Sequence, residues 1–154
     1  MMIDLTTTGH YKRIQRQAEL LTDALLWIDA FHTSSELADQ ILEWIKEDQL
    51  EDKGVDSNDE NLGFYSFMTE ILSDGEKQEG DHYTLDDTGE FKQTMVVLAL
   101  ADVLVVKADA DKMQNQHWWR DEILGLNNEN MSKLRDAYRE KVINYGKRVL
   151  AGRI

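Results

Sequence analysis

Met95-Val96-Val97-Leu98-Ala99-Leu100 and Val103-Leu104-Val105-Val106 are two aliphatic, largely β-branched runs separated only by Ala101-Asp102. Such residues suit a pleated, half-buried surface, and two small or polar residues between them make a tight connection. An antiparallel hairpin is therefore predicted over 94–107. The segments on either side have helical spacing. Upstream, Leu21, Ala24, Leu25, Ile28 and Phe31 recur at three- and four-residue steps, which predicts an amphipathic helix over 9–32. Thr33-Ser34-Ser35-Glu36 is a capping box, in which a hydroxyl covers an orphan amide while the glutamate reaches back. It favours a separate second helix to about Gln49, with Leu37, Ile41, Trp44 and Ile45 on its apolar face.

Downstream, 111–124 carries Met113, His117, Trp118 and Ile123 at mixed helical spacing, and Gly125 is placed to end that turn. The last helix starts near Asn127 or Asn128. Met131, Leu134, Tyr138, Val142, Tyr145 and Val149 line one face, which is expected to bury against the sheet. Lys147 and Arg148 near its end suit the helix dipole. The expectation is an α+β fold, with N-terminal helices packed on a small, mostly antiparallel sheet and a C-terminal helix. One domain would span 1–154: helices 9–49, a loop-rich acidic region 50–93, the hairpin 94–107 and a C-terminal helical region 111–151.

The region between helices and hairpin is punctuated by turn formers. Residues 51–63 lack any apolar period and read as a loop. Phe64 to Leu72 fits strand or helix equally, 73–82 reads as a polar, glycine-punctuated tip, and His82-Tyr83-Thr84-Leu85 as a short strand. Both loops are expected to bury little apolar surface within one chain.

Charge is unevenly spread. The chain holds 17 basic and 30 acidic side chains, a net of −13. Residues 34–93 carry 4 basic and 18 acidic groups, whereas 94–154 carry 10 and 8. An acidic block of that size repels phosphate and disfavours tight nucleic-acid binding. The absence of cysteine excludes disulfides, thiolate metal sites and cysteine catalysis, and fits a reducing compartment. No apolar run approaches the roughly 20 residues of a membrane span, and Met1-Met2-Ile3-Asp4-Leu5 does not resemble a signal peptide.

No motif assembles catalytic chemistry. Asp87-Thr88-Gly89 matches the tripeptide that carries the catalytic carboxylate of aspartic proteases, which need two carboxylates sharing a proton. Here Asp86 precedes it, Glu90 follows it, and no glycine-rich flap is present. Asp87, Thr88 and Gly89 therefore read as a structural turn, with Asp87 accepting amides and Gly89 at positive φ. Asp56, Asn58 and Glu60 alternate like calcium ligands, but the glycine and glutamate that an EF-hand loop requires are replaced by Asn61 and Phe67. His10, His32, His82 and His117 are never three or four apart, so no pair shares a helix face for zinc. No nucleophile elbow or phosphate loop is present. The expectation is a non-enzyme with no metal and no cofactor. Trp118-Trp119-Arg120 combines the residue types that anchor interfaces, although one tryptophan in the core and the other half exposed accounts for the run equally; Arg135, Arg139 and Arg148 are expected to point outward from the last helix, either toward the acidic block of a neighbouring chain or to offset that block within the same fold.

Four pieces in order form a more specific pattern: Asp52-Lys53-Gly54-Val55-Asp56-Ser57; Leu62-Gly63-Phe64-Tyr65-Ser66; Thr84-Leu85-Asp86-Asp87-Thr88-Gly89-Glu90-Phe91; and Ile123-Leu124-Gly125-Leu126-Asn127. This pattern resembles the tail-completion, or virion-morphogenesis, proteins of tailed phages. In that family a Thr-Gly-x-Leu turn leads into a β-strand, as Thr88-Gly89-Glu90-Phe91 would lead into Met95–Leu100. Thr94 stands where serine is usual and Leu124 where phenylalanine is expected. The resemblance implies a structural virion protein, assembled in the bacterial cytoplasm, that joins head to tail as a neck ring. Its partners would be copies of itself and the portal, adaptor or tail-tube proteins. DNA would pass through without specific binding, and no membrane is involved. Unlike faces pair head-to-tail, and head-to-tail contacts close into rings. The alternative is a soluble acidic interaction module, a regulator or a mimic of DNA charge, that binds through 34–93.

Overall fold

Val96–Ala99 (β1) and Leu104–Lys107 (β2) pair antiparallel, with Val96 opposite Lys107 and Ala99 opposite Leu104. Leu100 and Val103 exchange backbone hydrogen bonds and close the hairpin end. The chain is α+β. The computed structural model describes residues 9–32, 35–86, 89–100, 103–109, 111, 116 and 119–153. Its helices are α1 (Gly9–Leu20), α2 (Asp23–Phe31), α3 (Glu36–Glu43), α4 (Phe67–Leu72), α5 (Glu90–Thr94) and α6 (Asn128–Leu150). A π-helical segment, Trp44–Glu51, follows α3, and a 3-10 turn, Asp121–Leu124, precedes α6. The described strands are these two alone, and the hairpin is shorter than 94–107. Gly89, at φ +71°, starts α5, which fills the span between the predicted turn and the strand that was expected from Met95. Phe91 buries from α5, and Thr94 ends it by donating its hydroxyl to the Phe91 carbonyl at 2.9 Å. The same hydroxyl accepts the Asp109 amide, which ties the start of the hairpin to its end.

The chain divides into two compact units, Met1–Leu37 with Arg135–Ile154, and Ala38–Leu134. In the first unit the predicted helix over 9–32 is broken. The Thr22 hydroxyl accepts from the Leu25 amide and starts α2 afresh. The break resets the inward face: Ala30 is buried, while Leu21 and Ile28, expected inside, are exposed. Trp27, Phe31 and Tyr138 form an aromatic cluster, with Phe31 stacked on Tyr138 at 5.8 Å. Within this unit α2 thus packs on Tyr138 of the α6 stripe, which had been expected to bury against the sheet. Gln17 donates to the carbonyls of Val149 and Leu150, both at 3.1 Å, and satisfies the last turn of α6. The expected capping residues Thr33 and Ser34 lie outside the described residues, as do the Ala101-Asp102 connection and Met113, His117 and Trp118.

A repeat of four controls helix geometry where the chain enters the second unit. Leu37, which closes this segment of the first unit, and Ile41, Ile45 and Gln49 of the second are all buried, at three consecutive four-residue steps. In an α-helix of 3.6 residues per turn such a series drifts off one face. The chain answers by widening. The Asp52 amide reaches back five residues to the Glu47 carbonyl, which adds a residue to the turn and keeps Gln49 facing inward.

Residues 51–63 form a loop as predicted, exposed over much of its length and anchored inward at three points. Gly54, Asp56 and Leu62 lie inside, and an isolated bridge joins Val55 to Asn61. Phe64 makes an isolated bridge with His82, in place of the expected strand at 82–85. The ambiguous run 64–72 becomes the short helix α4, started by Ser66, whose hydroxyl accepts the Thr69 amide.

Candidate functional site

Asp56 organises the loop that sequence reading compared with a calcium site. Its side chain has no exposed surface. Oδ1 accepts the amides of Asn58 at 2.8 Å and Glu60 at 3.0 Å, an Asx turn. Oδ2 takes the Nε–H of Arg120. Arg120 also donates to the carbonyls of Glu60 and Asn61, both at 3.1 Å. Both carboxylate oxygens are thus engaged by protein donors. Among the described residues no group of three or more acidic or imidazole side chains is arranged to hold a metal ion.

A buried amide cluster lies in the same unit. Gln49 donates from Nε2 to the Gly125 carbonyl at 2.9 Å. Its Oε1 accepts the Asn127 amide at 2.8 Å and Asn130 Nδ2 at 3.1 Å. Asn127 is the N-cap of α6: its Oδ1 accepts the Asn130 amide at 3.0 Å, while Nδ2 donates to Asp59 at 2.6 Å. Asn130 also donates to the Trp44 carbonyl, and two acceptors facing its nitrogen fix the orientation of that amide. Its Oδ1 is left as a buried acceptor without a partner among the described residues. Gly125 is required by close approach. A Cβ there would lie 2.7 Å from Ser57 Cβ, and the Ser57 amide donates to the Glu122 carbonyl at 3.0 Å.

The predicted interface residues are dispersed. Trp119 packs edge-on against Phe91 at 5.7 Å, and Trp118 lies outside the described residues. Arg120 is turned inward onto Asp56. Arg148 pairs with Asp29 and lies over the Tyr145 ring, so it is engaged within its unit. Among the described residues Arg139 pairs with Asp136 on its own helix, at 3.5 Å, and Arg135 is exposed. In the predicted turn, Gly89 has the expected positive φ, and Asp87 and Thr88 lie outside the described residues. Sequence reasoning missed the Gln49–Asn127–Asn130 cluster. Its one signal was a polar residue in register with Leu37, Ile41 and Ile45.

Charges at the start of α6 are coupled. Lys53 hydrogen-bonds Glu129 at 2.6 Å, and Lys133 bonds Asp48 at 2.6 Å while approaching Glu129 at 3.4 Å. The bond from Lys53, then that from Lys133, holds the Glu129 carboxyl below its ordinary range. The bond to Glu129 raises Lys53, and the bond to Asp48 raises Lys133.

Two surface features remain unpartnered. α4 buries none of its residues. In the first unit an open groove of about 570 Å³ is lined by Arg13, Arg16, Gln17 and Leu20 of α1 and by Val149, Ala151 and Gly152. No protein-family model, no curated protein and no solved structure matches the chain.

Proposed function

We propose that this chain is a non-enzymatic structural protein of a tailed-phage virion, a ring-forming neck or tail-completion subunit through which DNA passes. The reading originates in the four-part sequence pattern. The observation that supports it is where the pieces of that pattern meet. Ser57 of the first piece donates its amide to Glu122, which flanks the fourth piece, and lies against Gly125 within it. The Leu62 amide donates to Gly54, and the Tyr83 amide to Gly63. The Tyr65 hydroxyl accepts the Thr84 amide at 3.3 Å. These residues serve one another as packing and hydrogen-bond partners and shape a single scaffold, which is what a structural family's signature should consist of.

Two measurements test the reading. Negative-stain electron microscopy of the purified chain should show rings with an opening wide enough for duplex DNA. Antibody against the chain should label the head–tail vertex of tailed virions released from cells that carry its gene. Labelling absent from such virions defeats the proposal.

A further inference from the structure

We infer that α4 of one copy docks into the groove between α1 and the end of α6 of a second copy, a head-to-tail contact that rests on the ring reading and gives it a surface. Phe64, Phe67, Met68, Ile71 and Leu72 are each more than half exposed. A helix of six residues is marginal in water, and one that buries no face draws little stability from packing within its chain. A cluster of five exposed large apolar side chains marks an interaction surface.

The rim of this patch is acidic. Glu70 accepts the Glu79 amide at 2.8 Å, which folds the following turn back beside the helix. Asp74, Glu76, Glu79 and Asp81 are exposed there and make no ion pair among the described residues. Lys77, over the Tyr65 ring, is the one base between Phe64 and His82. Two such patches cannot face each other, because like charges would be opposed. The occupant must bring cations around an apolar floor. The groove has that chemistry: Leu20 and Ala151 are its accessible apolar lining over the buried Val149, while Arg13 and Arg16, one turn apart, are exposed and make no ion pair among the described residues. Glu19 is the single acid on α1. Because the two surfaces differ, the contact is heterologous, and repetition closes a ring or extends a filament.

Sedimentation velocity of the full chain at about 50 mM and about 500 mM NaCl tests the contact, since salt screens exposed charge pairs. The wild-type chain should assemble at low salt and weaken at least tenfold at high salt. Arg13→Ala/Arg16→Ala in one chain and Phe67→Ser/Leu72→Ser in another should each sediment as monomers with wild-type melting temperatures. Mixed in equal amounts they retain one intact contact, and should form a dimer and nothing larger. The charge-reversed chains Arg13→Glu/Arg16→Glu and Asp74→Lys/Glu76→Lys repeat the test without altering an apolar residue. Each should lose assembly alone and recover it when mixed. Assembly that ignores these variants overturns the contact and leaves the ring reading standing. A wild-type chain that is monomeric at both salts overturns both. Assembly that responds as described, with no labelling at the head–tail vertex, leaves the contact standing and removes the neck.

Discussion

Arg120 and Asp56, 64 residues apart in the chain, form an ion pair in which the aspartate side chain has no exposed surface and the arginine side chain is 29% exposed. Removing one partner of a buried pair leaves an uncompensated charge, typically at a cost of 3–5 kcal/mol. Arg120→Ala should therefore lower unfolding free energy by about 3 kcal/mol, the low end because the arginine reaches water. Urea denaturation measures it. A cost below about 0.5 kcal/mol, the size of an ordinary surface substitution, would show that the pair does not hold the loop.

Gly125→Ala places a methyl group against Ser57. Gly125 has an ordinary φ of −93°, so the expected cost of about 1–3 kcal/mol is steric rather than conformational. Ser57→Gly in the same chain should return most of that loss. Additive costs in the double variant would place the clash elsewhere.

Gln49→Leu fills the same space but leaves the Gly125 carbonyl, the Asn127 amide and Asn130 Nδ2 each short of a partner. Buried groups so deprived cost about 1–3 kcal/mol each, and Asn130 retains its bond to Trp44, so a total near 3 kcal/mol is expected. Gln49→Glu keeps the acceptor and loses the donor to Gly125. It should destabilise as the pH rises and its carboxyl ionises against that carbonyl. Thermal melts of both variants between pH 4 and 8 separate the two effects.

Acid should loosen the start of α6 through Glu129. Its folded-state pKa lies below the ordinary carboxylate value, so the folded chain binds its proton less readily than the unfolded chain does. The resulting stability is present above the ordinary carboxylate range and is lost as pH falls through the lowered value. Lys133 is raised, chiefly by Asp48, so its contribution is present below the ordinary lysine range and is lost as pH rises through the raised value. The melting temperature of Glu129→Gln should fall less steeply on acidification than that of the wild type. Parallel acid limbs would remove Glu129 from the account.

Of the arginines of α6, Arg148 should matter most to the free chain. Arg148→Glu opposes Asp29, whose side chain is 16% exposed, and should cost about 1 kcal/mol. Arg135→Glu with Arg139→Glu should leave the melting temperature within a degree or two, because both are exposed. Calorimetry of the three variants compares them directly.

What the sequence by itself determined is local. Aliphatic, largely β-branched runs specified the hairpin, because a two-residue connection forces them to meet. A stripe from Met131 to Val149 specified α6, and Asn127 its first turn. Turn formers marked 51–63 as a loop. Tertiary structure decided where the long side chains went. Arg120 read as an interface anchor because local pattern holds no trace of Asp56, and Gln49 read as the end of a helix because its three partners lie 76 to 81 residues away. The break at Thr22 and the π-helical widening after Glu43 were settled in the same way. Each costs regular helical hydrogen bonding, and each becomes favourable only when the residues it turns inward, Ala30 and Gln49, find the packing and polar partners that the rest of the fold supplies.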